Sequence, residues 1–257
     1  MSLSVVIIAK NAADKIAEAI ASAKKVADEI IVLEGGSTDN TVAISQKLGA
    51  RVVKQKDPNS RDFSQWRNQG MEEAKGNWLL YLDHDERLSP ELIEDISRIT
   101  KEVKPYEIAF AIPRLNIILG KKMKHGGWWP DYQVRLFYKP ALKKWEGELH
   151  ERPRFYGEMG HMPEDAYIIH LKHDNISEMV EKTNVWSETE AKLLYDSGHP
   201  LMSWWRFWRI MATELIDRLI LKGGILDGTA GVIYSIYQMW SRFLTYAKLW
   251  EMQPKHK

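Results

Sequence analysis

Up to Asp83 the chain alternates between short runs that are apolar on both pleat faces and longer stretches whose apolar residues recur three or four apart. Ser4–Ala9, Glu29–Leu33, Arg51–Lys54 and Trp78–Asp83 read as buried strands, rich in β-branched and aliphatic residues. Between them Ile16, Ala19, Ile20 and Ala23 mark one helix, a second begins near Thr41, and a third over Ser64–Lys75 turns Trp66, Met71 and Ala74 inward. Strands alternating with helices at roughly 25-residue spacing imply right-handed crossovers and a parallel sheet.

Two of these strands run into acids. The fourth stops at Asp83-His84-Asp85-Glu86, and the second runs into Glu34-Gly35-Gly36-Ser37-Thr38-Asp39. Both loops follow strands in the same sense, so a parallel sheet brings them to its carboxyl edge, where open α/β sheets bind ligands. Two carboxylates one residue apart can grip a hard cation through oxygen, with phosphate oxygens completing the shell. Gly35-Gly36 lets backbone approach a ligand, and Glu34 or Asp39 can accept hydrogen bonds from a uracil ring or a ribose. A surface turn that caps the helix at Thr41 explains Asp39 and Asn40 but leaves Glu34 unassigned.

The last third has a different pattern. A helix over Ser177–Tyr195 carries Met179, Val180, Val185 and Leu193 among many acids, and Pro200 closes it off. Trp204, Trp208, Met211, Leu215 and Leu219 then recur at helical spacing, with Arg206, Arg209, Thr213 and Asp217 on another face. After Gly223-Gly224 a second apolar helix runs over Thr229–Trp250 with Tyr234, Tyr237, Trp240 and Phe243. Spanning a bilayer takes about 20 apolar residues without charge, and the longest charge-free run, Gly228–Ser241, is too short. The alternatives are a hairpin packed on the preceding domain and one lying in a membrane interface, with Trp and Tyr at headgroup depth and Arg on phosphates. Three Trp between positions 204 and 208, beside two Arg, favour the interface.

Composition sharpens this picture. At 257 residues, 44% hydrophobic and 28% charged, the chain is globular in character and long enough for one large α/β domain with an appendage. Without cysteine it forms no disulfide or thiolate metal site, which fits a reducing cytosol. Met1-Ser2-Leu3-Ser4 opens with no basic segment before the first strand, so no secretory signal is expected. The net charge of +1 hides an asymmetry: from Pro200 onward eight Lys/Arg face four acids, leaving 28 basic and 31 acidic residues elsewhere. The basic, Trp-rich tail suggests an anionic surface as partner, while the net negative body argues against nucleic acid.

Four ordered segments carry a family resemblance. Ser4-Val5-Val6-Ile7-Ile8-Ala9-Lys10-Asn11, Gly36-Ser37-Thr38-Asp39-Asn40-Thr41, Arg67-Asn68-Gln69-Gly70 and Leu82-Asp83-His84-Asp85-Glu86 resemble, in order and spacing, the family 2 inverting glycosyltransferases. Pro130-Asp131-Tyr132-Gln133-Val134-Arg135-Leu136-Phe137 and Trp145-Glu146-Gly147-Glu148-Leu149-His150-Glu151 look like that family's bacterial lipopolysaccharide-core branch. The resemblance implies a Rossmann-like glycosyltransferase A-type α/β fold with a mainly parallel sheet. On that basis residues 1–175 form a nucleotide-sugar-binding catalytic domain and residues 176–257 a helical, membrane-associating region. It also implies a nucleotide-diphosphate sugar donor, with a UDP-sugar favoured, a divalent metal (Mg²⁺ or Mn²⁺), and inversion at the anomeric carbon. Members usually place Asp where this chain has Glu34, whose extra methylene moves the carboxylate about 1.5 Å, comparable to one helical rise, and leaves the donor base open.

Inverting transfer needs a base for the acceptor hydroxyl, a cation for the leaving diphosphate and in-line positioning. Asp85 is expected to ligate the metal directly, with Asp83 on the ribose or the metal's waters. His170, after Tyr167-Ile168-Ile169, is a candidate further ligand, with His173 behind it, although a lone His beside apolar residues is more often core. Glu151 matches the family's His-Glu pair and is the expected base. Asp131 is its rival, and a salt bridge to Arg152 or Arg154 is the structural alternative for Glu151. Arg67 and Arg135 suit diphosphate or acceptor phosphate, since a guanidinium holds two oxygens at once. Asn11, Glu34 and Asp39 complete the expected substrate-binding set. The expected acceptor is an amphipathic glycolipid such as lipopolysaccharide core, met by a cytoplasmic enzyme peripheral on the inner face of the cell membrane. Transfer to a polyprenyl phosphate or a peptide is the nearest alternative. A catalytically silent homologue serving as a membrane-bound interaction module is the rival from another class.

Overall fold

Aliphatic runs build four parallel strands: β1 (Leu3–Ala9), β2 (Glu29–Glu34), β3 (Arg51–Lys54) and β4 (Trp78–Asp83). They lie in the order β3-β2-β1-β4 in a computed structural model that describes residues 1–57, 62–101, 106–147 and 151–254. Ala9 pairs with Glu34 and Ile8 with Asp83, so the two acidic strand ends stand level, one strand apart. Crossover helices α1 (Ile16–Ala23), α2 (Thr41–Lys47) and α3 (Phe63–Glu73) join them. One face of the sheet buries Val5, Ile7, Val32, Leu80 and Leu82 with Ile16 and Ile20 of α1. The other buries Val6, Ile8, Ile31, Leu33 and Tyr81 with Trp66 of α3.

Beyond β4 the sheet differs from the mainly parallel one expected. After β5 (Glu86–Leu88) and α4 (Pro90–Ile99) come β6 (Glu107–Ile118), β7 (Lys121–Lys122) and β8 (Asp131–Tyr138). β8 runs antiparallel to both β4 and β6, so the sheet is mixed. A hairpin of β9 (Leu142–Glu146) and β10 (Arg152–Phe155) follows, then β11 (Glu158–His161) and β12 (Ile168–His173). β5 pairs antiparallel with β12, which sets His170 opposite Glu86.

The chain forms two compact units, Met1–Arg114 with Asp131–His170, and Leu115–Pro130 with Leu171–Lys257. Residues 115–130 thus fall in the second unit, although they precede the boundary expected near residue 175. That unit holds α5 (Ile176–Asp196), α6 (Trp204–Ile216), whose last turn continues as π-helix through Leu221, and α7 (Gly228–Met252). Two small cores hold it together: Met123, Met179 and Tyr234 in one, Ala191, Met202 and Leu249 in the other. No single described helix is long and apolar enough to cross a membrane. Trp204–Leu221 and Gly224–Met252, bent by 63°, reach that length and composition only as a pair.

Candidate active site

At the end of β4, Asp83 is clamped by two guanidiniums. Arg135 of β8 donates to its Oδ2 at 2.7 Å and Arg67 of α3 to its Oδ1 at 3.3 Å. Arg135 also reaches Glu86 Oε1 at 3.1 Å, and Glu86, wholly buried, accepts the Asp83 backbone N–H through its other oxygen at 2.9 Å. Arg114 of β6 continues the chain, 3.4 Å from Glu86 and holding Asp131 Oδ2 with Nε at 2.9 Å and Nη2 at 2.7 Å. Three cations and three anions thus alternate from Arg67 through Asp83, Arg135, Glu86 and Arg114 to Asp131. Burial alone would raise the Asp83 carboxyl, but Arg135 and Arg67 hold it well below the usual carboxylate range. Arg135 answers in kind: burial would lower its guanidinium, and Asp83, Glu86 and Glu151 together raise it.

Asp85 stands apart from this network. Its Oδ2 lies 3.6 Å from His170 Nε2. Burial opposes ionisation there, yet the His170 imidazole, aided by His84, brings the carboxyl down to about 2. Arg87 fixes the turn that presents it, donating to the carbonyls of His84 at 2.9 Å and Glu86 at 2.8 Å.

The loop after β2 folds against the end of β1. Asn11 sits in the left-handed region at φ 49°, accepts the Thr38 N–H at 2.9 Å and donates its own N–H to Ser37 Oγ at 2.9 Å. Asp39 accepts from Ala13 N and Thr41 N, both at 3.0 Å, so the turn-and-cap role explains it. Glu34 is buried and accepts the Ser37 N–H. Gly35 packs closely on the Trp66 ring: a Cβ there would lie 2.0 Å from it.

Arg67-Asn68-Gln69-Gly70 also ties α3 to its neighbours. Arg67 lies over Trp145 at 5.1 Å and Tyr81 at 5.6 Å, and its Nε and Nη1 have no hydrogen-bond partner among the described residues. Asn68 exchanges two hydrogen bonds with the Trp145 backbone, at 2.7 and 2.9 Å. Gln69 ties to the Lys54 carbonyl at 2.8 Å, and a Cβ on Gly70 would strike Val6 at 2.5 Å.

The two base candidates differ in their surroundings. Both Asp131 oxygens are taken, by Arg114 and by Gln133 Nε2 at 2.7 Å. Glu151 is half-buried just before β10, and its suggested partner Arg154 pairs instead with Glu146 at 2.8 Å. Residues 148–150 of the His-Glu segment lie outside the described residues. His173 sits 4.0 Å from Glu178 in the second unit. Glu86 and Arg114 carry the network and were not anticipated. A buried acid three residues past Asp83, matched by an Arg on each of two neighbouring strands, is the pattern that could have revealed them.

Among the described residues no group of three or more His, Asp or Glu could hold a metal alone. Asp85 with His170 is a two-residue donor set that suits a cation completed by a ligand's own oxygens.

Comparison with known proteins agrees with this architecture. A protein described as an uncharacterized glycosyltransferase of Rickettsia conorii is 28% identical over 280 residues, covering 99% of this chain and 92% of its own length. The SPbeta prophage-derived glycosyltransferase SunS of Bacillus subtilis is 27% identical over 188 residues, 73% of this chain and 42% of that protein. Among solved structures, S. aureus TarS 1-349 in complex with UDP-GlcNAc covers 98% of this chain and 89% of that chain at 15% identity, with a TM-score of 0.50. The mixed α/β fold is therefore of the glycosyltransferase A type, carrying C-terminal helices. The model of the family described as Glycosyl transferase family 2 matches residues 4–150, which include both acidic strand ends, and the chain belongs to that family as a glycosyltransferase.

Proposed function

We propose that this glycosyltransferase takes its sugar from a nucleotide-diphosphate donor bound across the carboxyl ends of β1, β2 and β4, and transfers it with inversion to an amphipathic glycolipid such as lipopolysaccharide core. The observation that carries the donor site is the meeting of Asp85 and His170 at 3.6 Å beside an Asp83 held ionised by two arginines. Asp85 and His170 would hold Mg²⁺ or Mn²⁺, which offsets charge on the departing diphosphate. TarS holds UDP-GlcNAc, so UDP-sugars are the first donors to test.

Glu151 is the base. It takes the acceptor hydroxyl proton as the oxygen attacks the anomeric carbon, and the bond to the diphosphate breaks on the opposite side. Asp131 is less suited, since Arg114 and Gln133 already engage both its oxygens. The deciding experiment incubates purified enzyme with labelled UDP-sugars, with and without Mn²⁺, and separates lipopolysaccharide, polyprenyl-phosphate and peptide fractions. Label in the lipopolysaccharide fraction with an inverted anomeric linkage supports the reading; label in either other fraction, or retention, overturns it.

A further inference from the structure

Helix α6 carries apolar side chains on two sides, one packed and one exposed. The side chains packed inward include Phe207, whose ring lies 5.7 Å from that of Phe243, and Ile210, which meets the core of Ala191, Met202 and Leu249. Glu214 also turns inward, where it pairs with Arg218 and lies 3.7 Å from Arg242. The outward stripe, by contrast, is Trp204, Trp205, Trp208, Ile216 and Ile220, all exposed. It continues over the corner between the helices as Leu221, Ile225 and Leu226, with Leu221 74% and Leu226 70% exposed.

This distribution differs from the one the spacing suggests. The sequence pattern groups Trp204, Trp208, Met211, Leu215 and Leu219, yet Met211, Leu215 and Leu219 are half-buried and Ile216 and Ile220 take the outer row. Between Trp208 and Ile216 the exposed residues are Arg209 and Thr213, and on either side of them the outward residues are apolar, a surface that meets another phase or another molecule. From Trp204 to Leu221 the helix is roughly 27 Å long at 1.5 Å per residue, so the row is a line rather than a spot.

We infer that this row lies in the interfacial layer of an anionic lipid bilayer, parallel to its plane. Charge selects lipid over other occupants. Arg206 and Arg209 flank the exposed tryptophans and have no carboxylate partner among the described residues. Lys222, at the corner, is in contrast paired with Asp217 at 2.6 Å. Tryptophan at headgroup depth beside arginine on phosphate, with Ile and Leu reaching into the acyl region, is the chemistry of a helix lying in the interface.

The test uses the full chain and vesicles of phosphatidylcholine with or without phosphatidylglycerol, sedimented without donor or acceptor, so its outcome is independent of the transfer reaction. The expected result is binding stronger by about tenfold or more on the anionic vesicles. It should fall at least about tenfold in the triple variant Trp204→Ser, Trp208→Ser, Leu221→Ser. The double variant Arg206→Glu, Arg209→Glu replaces half-buried and exposed cations and should abolish the preference for anionic lipid, which serves if the triple variant misfolds. Absence of vesicle binding, or binding unchanged in the variants, overturns the inference. A dimer by light scattering that dissociates in the triple variant, with no vesicle binding, assigns the face to a second copy and overturns it as well.

Discussion

Arg135 donates to Asp83 at 2.7 Å while standing 3.1 Å from Glu86, so one buried guanidinium is shared by two carboxylates on either side of the β4 turn. Replacing it with Leu leaves both anions without that partner, Glu86 wholly buried and Asp83 partly so. Removing one member of such a buried pair typically costs about 3–5 kcal/mol. Arg135→Leu should therefore lose stability on that scale in urea unfolding. Arg135→Lys should recover only part of it, because both contacts leave from Nη2, one bond beyond the reach of a lysine ammonium. Wild-type stability in either variant would mean that the Arg67 contact alone suffices for Asp83.

Asp85 makes the opposite kind of prediction. It stands outside the arginine network and faces His170, so Asp85→Asn should fold normally. Transfer should fall by roughly a hundredfold, the loss expected when about 3 kcal/mol of leaving-group stabilisation disappears. The thermal shift given by UDP-sugar with Mn²⁺ should vanish in the same variant. A full shift with abolished transfer would instead place Asp85 at the reacting atoms and the metal elsewhere.

Asp131 and Glu151 separate by the same logic. Asp131→Asn breaks its pair with Arg114, whose other partner Glu86 is wholly buried, so it should lower stability together with activity. Glu151 is half-buried and acts on that network only through its charge on Arg135, so Glu151→Gln should change the melting temperature little and leave donor binding intact while transfer falls by roughly 10²–10⁴-fold, as for a general base. Undiminished turnover in Glu151→Gln would move the role to Asp131.

The parallel half of the sheet was legible because β1, β2 and β4 are apolar on both faces and β2 and β4 run into acids. The antiparallel half was not. β6 contains Pro113, a residue that argues against a strand in sequence, and it is accommodated opposite Tyr132. Glu86 looked like one more loop acid, and only the pairing of β5 with β12 reveals that it is buried. In α6 two apolar rows coexist, one through Leu215 and one through Ile216, and helical spacing cannot tell which of them packs.

Gly35 leaves room for a neighbouring ring. A Cβ there would sit 2.0 Å from the Trp66 ring, itself buried against the sheet. Gly35→Ala must push the indole or the β2 end aside, and overpacking of this kind costs typically about 1–3 kcal/mol. The expected result is a lower melting temperature together with weaker donor binding, since the loop carrying Glu34 moves with it. In Gly35→Ala, Trp66→Phe the smaller ring should recover part of the loss, and a strictly additive pair would show that the two residues do not meet.

Acid should weaken the fold through Glu29, at the amino end of the parallel strands. Burial would raise its carboxyl, but the Lys75 N–H, the Ser4 hydroxyl and Arg51 together lower it. A carboxyl with a lower pKa in the folded state than in the unfolded chain stabilises the fold above the unfolded value. That stabilisation is lost as the pH falls from the usual carboxylate range through the lowered folded value. At neutral pH Glu29→Gln should cost roughly 1–2 kcal/mol, since charged hydrogen bonds to Lys75 N at 3.0 Å and Ser4 Oγ at 2.8 Å become neutral ones. The gap between wild type and variant should close as the pH approaches 3, read from urea midpoints at successive pH values. A gap independent of pH would mean that the Glu29→Gln substitution acts through shape rather than charge.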